Sequence, residues 1–337
     1  MANSVSASVP ARIGLLGNPS DGYFGSCISV PLLSRFAKIT LTSNTSNSNS
    51  KTPPGDLPHS IPSDLTGIDS AEYRWPENVE LLRILIPTLI EFERWFGAAS
   101  RPFCCEVETT IPRQVGLAGS SAIETALFRA LVEWNGMEAE AIDGDELAAA
   151  VLRVETEHLG MVAGLQDRLP QAHGAMLYMN FERQLMEATG RATSTALDSA
   201  LLPPLWLAFG PRGRDSGEIH SELPERWAAG EPNMVRIIAD LKRCADAGLE
   251  ALLAGRVSEL ANLIDMNFDL RRELFGDAVL GETLRMVEFA RSLGSSAKQT
   301  GSGGAIFGIL PYDEPNFVED NLAKFAEFGW TLEVVVV

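Results

Sequence analysis

Two carboxylates lie close together near the middle of the chain, in the segment ETEHLGMVAGLQD that runs from Glu155 to Asp167. Glu155 falls within a predicted helix, whereas Asp167 follows a glycine at a predicted turn. Such a pair suits metal-assisted phosphoryl transfer, in which one carboxylate holds Mg²⁺ on the phosphates and the other orients or deprotonates the attacking hydroxyl. The alternative is a solvated helix face, because glutamates are mostly exposed.

A segment rich in glycine and serine, IPRQVGLAGSSA, precedes an alanine-rich helical pattern. Gly116 and Gly119 allow close backbone approach and positive φ angles, and Ser120 or Ser121 can cap the helix. Free amides at the positive end of the helix then form an anion site suited to a polyphosphate. An ordinary N-capped helix is the alternative.

Two further segments could line a site. The run KQTGSGGA, at 298–305, can form a loop whose amides reach a substrate, or simply a tight turn between a helix and a strand. The segment PARIGLLGNPSD carries Arg12 at the start of a predicted strand and Asp21 in the following turn, a pattern that is more often structural when it stands alone. The chain has neither the GxGxxG of a dinucleotide fold nor the GK[ST] of a Walker A loop.

Composition excludes several classes of function. A formal net charge of −18 argues against non-specific binding to nucleic acids or to anionic membranes. Phosphate must then be held by backbone amides, helix N-termini, a few basic side chains and Mg²⁺.

No apolar run approaches the roughly 20 residues that span a bilayer, and the N-terminus lacks the pattern of a signal peptide. We therefore expect a cytoplasmic protein whose four cysteines are free and buried.

Hydrophobic periodicity predicts helices and strands without strict βαβ alternation, which favours an α+β fold. A polar stretch at 43–63 is predicted to be a surface loop. A second unit is expected to begin with the strand at 202–209, which puts a domain boundary near residue 200. The predicted strands are 12–17, 27–32, 38–42, 103–110, 174–180, 202–209, 304–310 and 331–337, and the predicted helices are 77–97, 120–135, 144–159, 232–254, 257–274, 279–293 and 316–328.

Together and in this order, these segments resemble the three motifs of the GHMP kinases. The run from Glu155 to Asp167 matches the family pattern Glu-x-x-x-x-Gly-Met-x-x-Gly-x-x-Asp without a gap. Phrases such as ARIGLLGNPSD, IPRQVGLAGSSAI, NFDLRR and TGSGGA are similar to those of plant glucuronokinases. The resemblance covers almost the whole chain and implies two α+β domains: residues 1–200 resembling the ribosomal-protein S5 fold and residues 201–337 resembling a ferredoxin-like fold.

The resemblance also implies roles for individual residues. Asp167 would position or deprotonate the acceptor hydroxyl, and Arg12 would stabilise the transferring phosphoryl group and keep Asp167 ionised. Ser120 and Glu155 would hold Mg²⁺, and Asp21 would hydrogen-bond sugar hydroxyls. ATP would bind along Pro112, Gly116, Leu117, Ala118, Gly119, Ser120 and Ser121, while Gly301, Ser302, Gly303 and Gly304 would close over the sugar.

The implied activity is that of an ATP-dependent sugar 1-kinase acting on D-glucuronate, with another sugar or sugar acid, or a catalytically silent ligand sensor, as alternatives. A uronate needs a cationic partner, for which Arg168 is the first candidate unless it forms a structural salt bridge. Arg271 and Arg272, in a predicted helix, are further candidates. Ser26 departs from the Lys or Arg of plant glucuronokinases, which places glucuronate in question if that side chain faces the substrate. The oligomeric state stays open.

Overall fold

The computed structural model describes residues 3–43, 76, 78–99, 101–211, 222–314 and 316–337. The surface loop predicted at 43–63 lies outside these residues except for its first position. Within them the chain is a mixture of helices and antiparallel sheets, so the predicted α+β class is confirmed.

The first sheet is antiparallel, with strand order β1-β2-β4-β5, and β3 pairs with the distal half of β2. Its strands are β1 (Ser4–Leu16), β2 (Ser26–Ser43), β3 (Phe103–Thr109), β4 (Met176–Asn180) and β5 (Thr193–Leu197). The two strands predicted at 27–32 and 38–42 are one continuous strand, β2. The residues between them form an irregularity in its pairing with β1, where the register shifts at Pro10 and Ala11.

The helices that accompany the first sheet include several that position residues of the site. They are α1 (Val79–Phe96), α2 (Gly119–Trp134), α3 (Gly144–Arg153), α4 (Arg168–His173) and α5 (Arg183–Thr189). Helix α2 is buried over most of its length, which explains its alanine-rich sequence. The helix predicted to end at residue 159 instead ends at Arg153 and continues as a π-helical turn, Val154–His158. That turn buries Glu155.

The second sheet has strand order β7-β8-β6-β9. Its strands are β6 (Leu205–Phe209), β7 (Lys298–Gln299), β8 (Ala305–Ile309) and β9 (Thr331–Val334). The helices that accompany it are α6 (Leu223–Ala228), α7 (Pro232–Leu253), α8 (Val257–Phe275), α9 (Asp277–Leu280), α10 (Glu282–Ser292) and α11 (Phe317–Ala326). An aromatic cluster around Trp206, Phe317 and Phe325 forms the core beneath this sheet.

A continuous apolar core joins the two halves of the chain. Cys244 and Ala245 of α7, with Phe307 of β8, belong to the same buried cluster as the first sheet. A Cβ atom at Gly248 would lie 2.2 Å from Leu16 Cδ1, so the absence of a side chain there lets α7 approach β1. The boundary near residue 200 stays a prediction, because the apolar core runs across it.

The described residues include no helix long and apolar enough to cross a membrane. All four cysteines are free, as predicted; Cys27, Cys105 and Cys244 are buried, whereas Cys104 is half-buried.

The buried helix α2 carries a carboxyl group in the interior of the protein. Glu124 of α2 is fully buried, and neither of its carboxyl oxygens has a hydrogen-bond partner among the described residues. Burial raises the pKa of Glu124 to about 8, and the nearby guanidinium of Arg168 opposes that rise only in part.

Replacing Glu124 with glutamine should therefore flatten the pH dependence of stability. A folded-state pKa of about 8, above the ordinary 4.5, means that the folded chain binds this proton more tightly. The stability that results is complete below the ordinary value and is lost as pH rises through about 8. Between pH 5 and 8 the wild type should lose on the order of 2–4 kcal/mol more than Glu124→Gln in urea unfolding. Glu133→Gln, at an exposed position of the same helix, should follow the wild type; parallel profiles for all three proteins would contradict the prediction.

Candidate active site

A cavity of about 490 Å³ opens between the N-terminus of α2, the turn after β1 and the loop before β8. This volume is typical of a small-molecule site. Gly303 and Gly304, which were predicted to close over a substrate, do not line it. The predicted residues that do line it are Arg12, Asp21, Pro112, Gly116, Leu117, Ala118, Gly119, Ser120, Ser121, Glu155, Asp167, Arg168, Gly301 and Ser302.

Arg12 joins the segments that the sequence analysis singled out. Its side chain is 3% exposed, and Nη2 forms an ion pair with Oδ1 of Asp167. Nη1 donates to the carbonyl oxygens of Thr300, at 2.8 Å, and of Gly116, at 3.3 Å. Asp167 is the N-cap residue of α4 but makes no side-chain capping bond, so its carboxylate is directed to Arg12 instead.

The two glycine-rich loops pack backbone against backbone. A Cβ atom at Gly301 would lie 2.4 Å from the carbonyl oxygen of Gly116, and one at Gly116 would lie 3.0 Å from the amide nitrogen of Gly303. Gly116 also has a φ of +75°, which disfavours any side chain. The hydroxyl of Thr300 donates to the Gly116 carbonyl at 2.9 Å. Glycine is therefore required here for contact between the loops.

The predicted serine cap of α2 is wrong. The N-cap residue is Ala118, in the left-handed region at φ +57°, and it makes no side-chain capping bond. Ser120 instead donates to Glu155 Oε1 at 2.8 Å, and Ser121 donates to Gln171 Oε1 at 2.7 Å. Gly119, for which a positive φ was allowed, is the first helical residue and does not need one. With no side chain capping them, the first amides of α2 can bind an anion in the cavity.

Glu155 and Ser120 form a pair of oxygen ligands beside that helix terminus. Mg²⁺ commonly takes one or two protein oxygens and completes its coordination with phosphate oxygens and water, so the pair fits this ion. No cluster of three or more His, Cys, Asp or Glu that could hold a metal occurs in the described part of the chain. Phosphate oxygens would therefore have to supply the remaining ligands.

Arg168 forms a salt bridge within the protein. Its guanidinium is 4% exposed, pairs with Oε2 of Glu155 and donates to the carbonyl of Gly164. Burial lowers its pKa to about 10, while Glu124 and Asp21 oppose that shift. This geometry favours the structural alternative for Arg168 over direct binding of a substrate carboxylate.

Asp21 lies beside the Arg12–Asp167 pair and is 8% exposed. Burial, and next the charge of Asp167, raise the pKa of Asp21 to about 7. The amide of Gln166 donates to Asp21 Oδ2 at 3.3 Å, and a Cβ atom at Gly164 would overlap that oxygen. Near neutral pH the carboxyl group can thus accept from, or donate to, a ligand hydroxyl.

Lys298 is a residue whose role the sequence analysis missed. Its side chain is fully buried, and Nζ donates to the carbonyls of Gly14 and Gln299 and to Oδ1 of Asn18, at 2.7 to 3.0 Å. Burial lowers its pKa well below the ordinary value. Lys298 ties the turn after β1 to the loop before β8. The sequence does contain a signal that could have identified it: this lysine begins a glycine-rich run that precedes an apolar strand.

Ser26 does not line the cavity. It is buried on β2, where its hydroxyl accepts a hydrogen bond from Tyr178 at 3.2 Å. Ser26 itself therefore makes no contact with a ligand in this cavity.

Two protein-family models match the chain. The GHMP kinases N terminal domain matches residues 83–175, and the GHMP kinases C terminal domain matches residues 249–327. Glucuronokinase 1 of Arabidopsis thaliana is 35% identical over 96% of this chain and 90% of its own length. Probable glucuronokinase 2 of the same plant is 37% identical over 89% of this chain and 83% of its own length.

The fold is similar to those of solved GHMP kinases. Lactococcus lactis galactokinase, complexed with galactose, superimposes with a TM-score of 0.74 at 13% identity, covering 99% of this chain and 93% of that one. Methanococcus jannaschii mevalonate kinase gives a TM-score of 0.70 at 16% identity, covering 98% and 97%. Fold, family matches and relatives agree: the chain belongs to the GHMP kinases, which makes it a phosphotransferase with an alcohol group as acceptor.

Proposed function

We propose that this protein is an ATP-dependent sugar 1-kinase that converts D-glucuronate to glucuronate 1-phosphate. The observation that carries the proposal is the Arg12–Asp167 ion pair, set in a cavity beside the uncapped N-terminus of α2. The substrate follows from two relatives named as glucuronokinases, at 35% and 37% identity over most of the chain.

ATP binds with its phosphates against the first amides of α2 and the backbone from Gly116 to Ala118. This arrangement needs few basic side chains, which suits a chain of net charge −18. Ser120 and Glu155 hold Mg²⁺, which when bound neutralises phosphate charge. Glu155 is prepared for this role by the π-helical turn, which directs it to the Ser120 hydroxyl.

Asp167 receives the acceptor hydroxyl and takes its proton, because its carboxylate is the one that Arg12 holds at the cavity wall. The remaining donors of Arg12 stabilise charge on the transferring phosphoryl group. Asp21, with a pKa of about 7, hydrogen-bonds the sugar hydroxyls. Gly301 and Ser302 line the cavity next to Arg12.

Release of ADP with a panel of acceptors tests the proposal. D-glucuronate should give the highest kcat/KM among D-glucuronate, D-galacturonate, D-glucose, D-galactose and mevalonate. Phosphorus NMR should place the new phosphate on the anomeric oxygen. A different preferred sugar would replace the substrate assignment, and no ADP with any acceptor, together with measurable ATP binding, would favour a sensor.

Asp167→Asn should lower kcat by about 10² to 10⁴, the usual contribution of general-base catalysis. ATP affinity measured by calorimetry should stay close to that of the wild type, because Asp167 lies on the acceptor side of the cavity. Asp313→Asn, at an exposed position, serves as the control and should keep full turnover. Near-normal kcat in Asp167→Asn would remove this residue from the mechanism.

Glu155→Gln should raise the Mg²⁺ concentration needed for half-maximal activity, since a neutral amide is a poorer ligand for a hard cation. The matched control is Glu157→Gln, because Glu157 lies in the same π-helical turn but is exposed. Titration of EDTA-treated enzyme with Mg²⁺ gives the two values. Equal Mg²⁺ requirements in both variants, or full activity without added metal, would contradict the role given to Glu155.

A further inference from the structure

The arginines that line the cavity differ in whether they form an ion pair with a carboxylate of the protein. Arg12, Arg113 and Arg168 form ion pairs with Asp167, Glu80 and Glu155 respectively. Arg271 also lines the cavity, yet the described residues offer its guanidinium no carboxylate within ion-pair distance.

The contacts of Arg271 leave donors unused. Its side chain is 1% exposed; Nη1 donates to the carbonyl of Asn18 at 3.2 Å and Nη2 to the carbonyl of Gly301 at 3.0 Å. Nε has no hydrogen-bond partner among the described residues. A guanidinium carries five N–H donors in a planar fork, so the group retains capacity for one more acceptor. The Phe275 ring lies 5.2 Å from its carbon and fixes its plane.

A buried cation without a counter-ion is costly, and carbonyl dipoles compensate only part of that cost. The effect is visible at Arg271 itself: burial and the neighbouring Arg12 lower its pKa to about 9. Asp21 attracts this guanidinium from within the same cavity but stays beyond ion-pair distance, with its own pKa raised to about 7. An incoming anion would therefore find at Arg271 a cation that forms no ion pair with a carboxylate of the described residues.

The position of Arg271 fits one end of a hexuronate. Arg12, at the reacting end, binds the carbonyl of Thr300, and Arg271 binds that of the next residue, Gly301. The two guanidiniums are thus anchored about one residue apart on the same loop. In a pyranose uronate the carboxylate is carried by C5, which is bonded to the same ring oxygen as the anomeric carbon, so the anomeric hydroxyl and the carboxylate flank that oxygen. With the hydroxyl at Asp167 and Arg12, the carboxylate needs a second cation close to the first, which is where Arg271 lies.

We propose that Arg271 is the residue that binds the carboxylate of the sugar substrate and so determines selectivity for a uronate over a neutral sugar. This inference rests on the proposed function. It replaces Arg168 as carboxylate partner, since Arg168 is already paired with Glu155. Arg271 lines the cavity, whereas the side chain of its neighbour Arg272 is 40% exposed and pairs with Asp277 and Glu288.

The test compares the KM values of two acceptors that differ only at C6: D-glucuronate and its neutral amide, D-glucuronamide. Arg271→Gln should raise the KM for glucuronate at least about tenfold, because a buried charged partner is lost. The KM for glucuronamide and for ATP should rise much less than that for glucuronate, since the neutral amide at C6 needs no cationic partner and ATP is proposed to bind at α2. Arg271→Lys keeps the charge without the planar fork and should fall between the two. Arg272→Gln is the matched control and should behave as the wild type.

Each outcome separates the inference from the function it rests on. If the wild type does not release ADP with glucuronate, the proposed function fails and the inference falls with it. If the wild type uses glucuronate but Arg271→Gln raises both KM values equally, Arg271 is structural and only the inference fails. Should Arg271→Gln not fold, the ratio of the two KM values in Arg271→Lys decides: a ratio unchanged from the wild type overturns the inference.

Discussion

The Arg12 guanidinium makes the contact on which the rest of the site depends. It reaches Gly116, Asp167 and Thr300, which are 104, 155 and 288 positions away in the sequence. One planar group thereby holds the loop before α2, which is proposed to bind phosphate, the proposed base and the loop before β8 in a single geometry. Because Arg12 lies in the buried C-terminal part of β1, which pairs along its length with β2, its backbone is held by the first sheet. The relative position of base and phosphate site is set before any ligand arrives, as catalysis by positioning requires.

The second constraint is the need for glycine in the two loops, and it follows from the contacts of Arg12. For Arg12 to bind the carbonyls of Gly116 and Thr300 at once, the two loops must approach more closely than side chains permit; a Cβ atom at Gly301 would overlap the Gly116 carbonyl. The N-terminus of α2 beside these loops is uncapped, because its N-cap residue is Ala118 and its serines bond to Glu155 and Gln171. This terminus supplies the positive end of a dipole without adding a charged side chain.

Motif spacing predicted which residues would meet, and local patterns predicted most helices and strands. Contacts between residues far apart in the sequence determined the features that local patterns could not predict. Strand β2 is continuous because β1 pairs along both of its halves, although residues 33–36 look like a break. The π-helical turn that buries Glu155 has no breaker residue to announce it. Arg271 and Arg272 are identical neighbours in sequence, and only the docking of α8 directs one into the cavity and the other to solvent.

The same contacts place positive charge at the cavity of an otherwise acidic protein. A chain of net charge −18 repels anions at long range, yet Arg271 lies buried at the cavity and bonds to two backbone carbonyls rather than to a carboxylate of the described residues. At the surface water would screen this cation, but in a dry interior its field acts on whatever enters. Arg271 also binds the turn after β1 to the loop before β8, so a group that shapes the site also makes it locally favourable to anions. Because this guanidinium is buried at the cavity, the attraction acts on a ligand that enters the site.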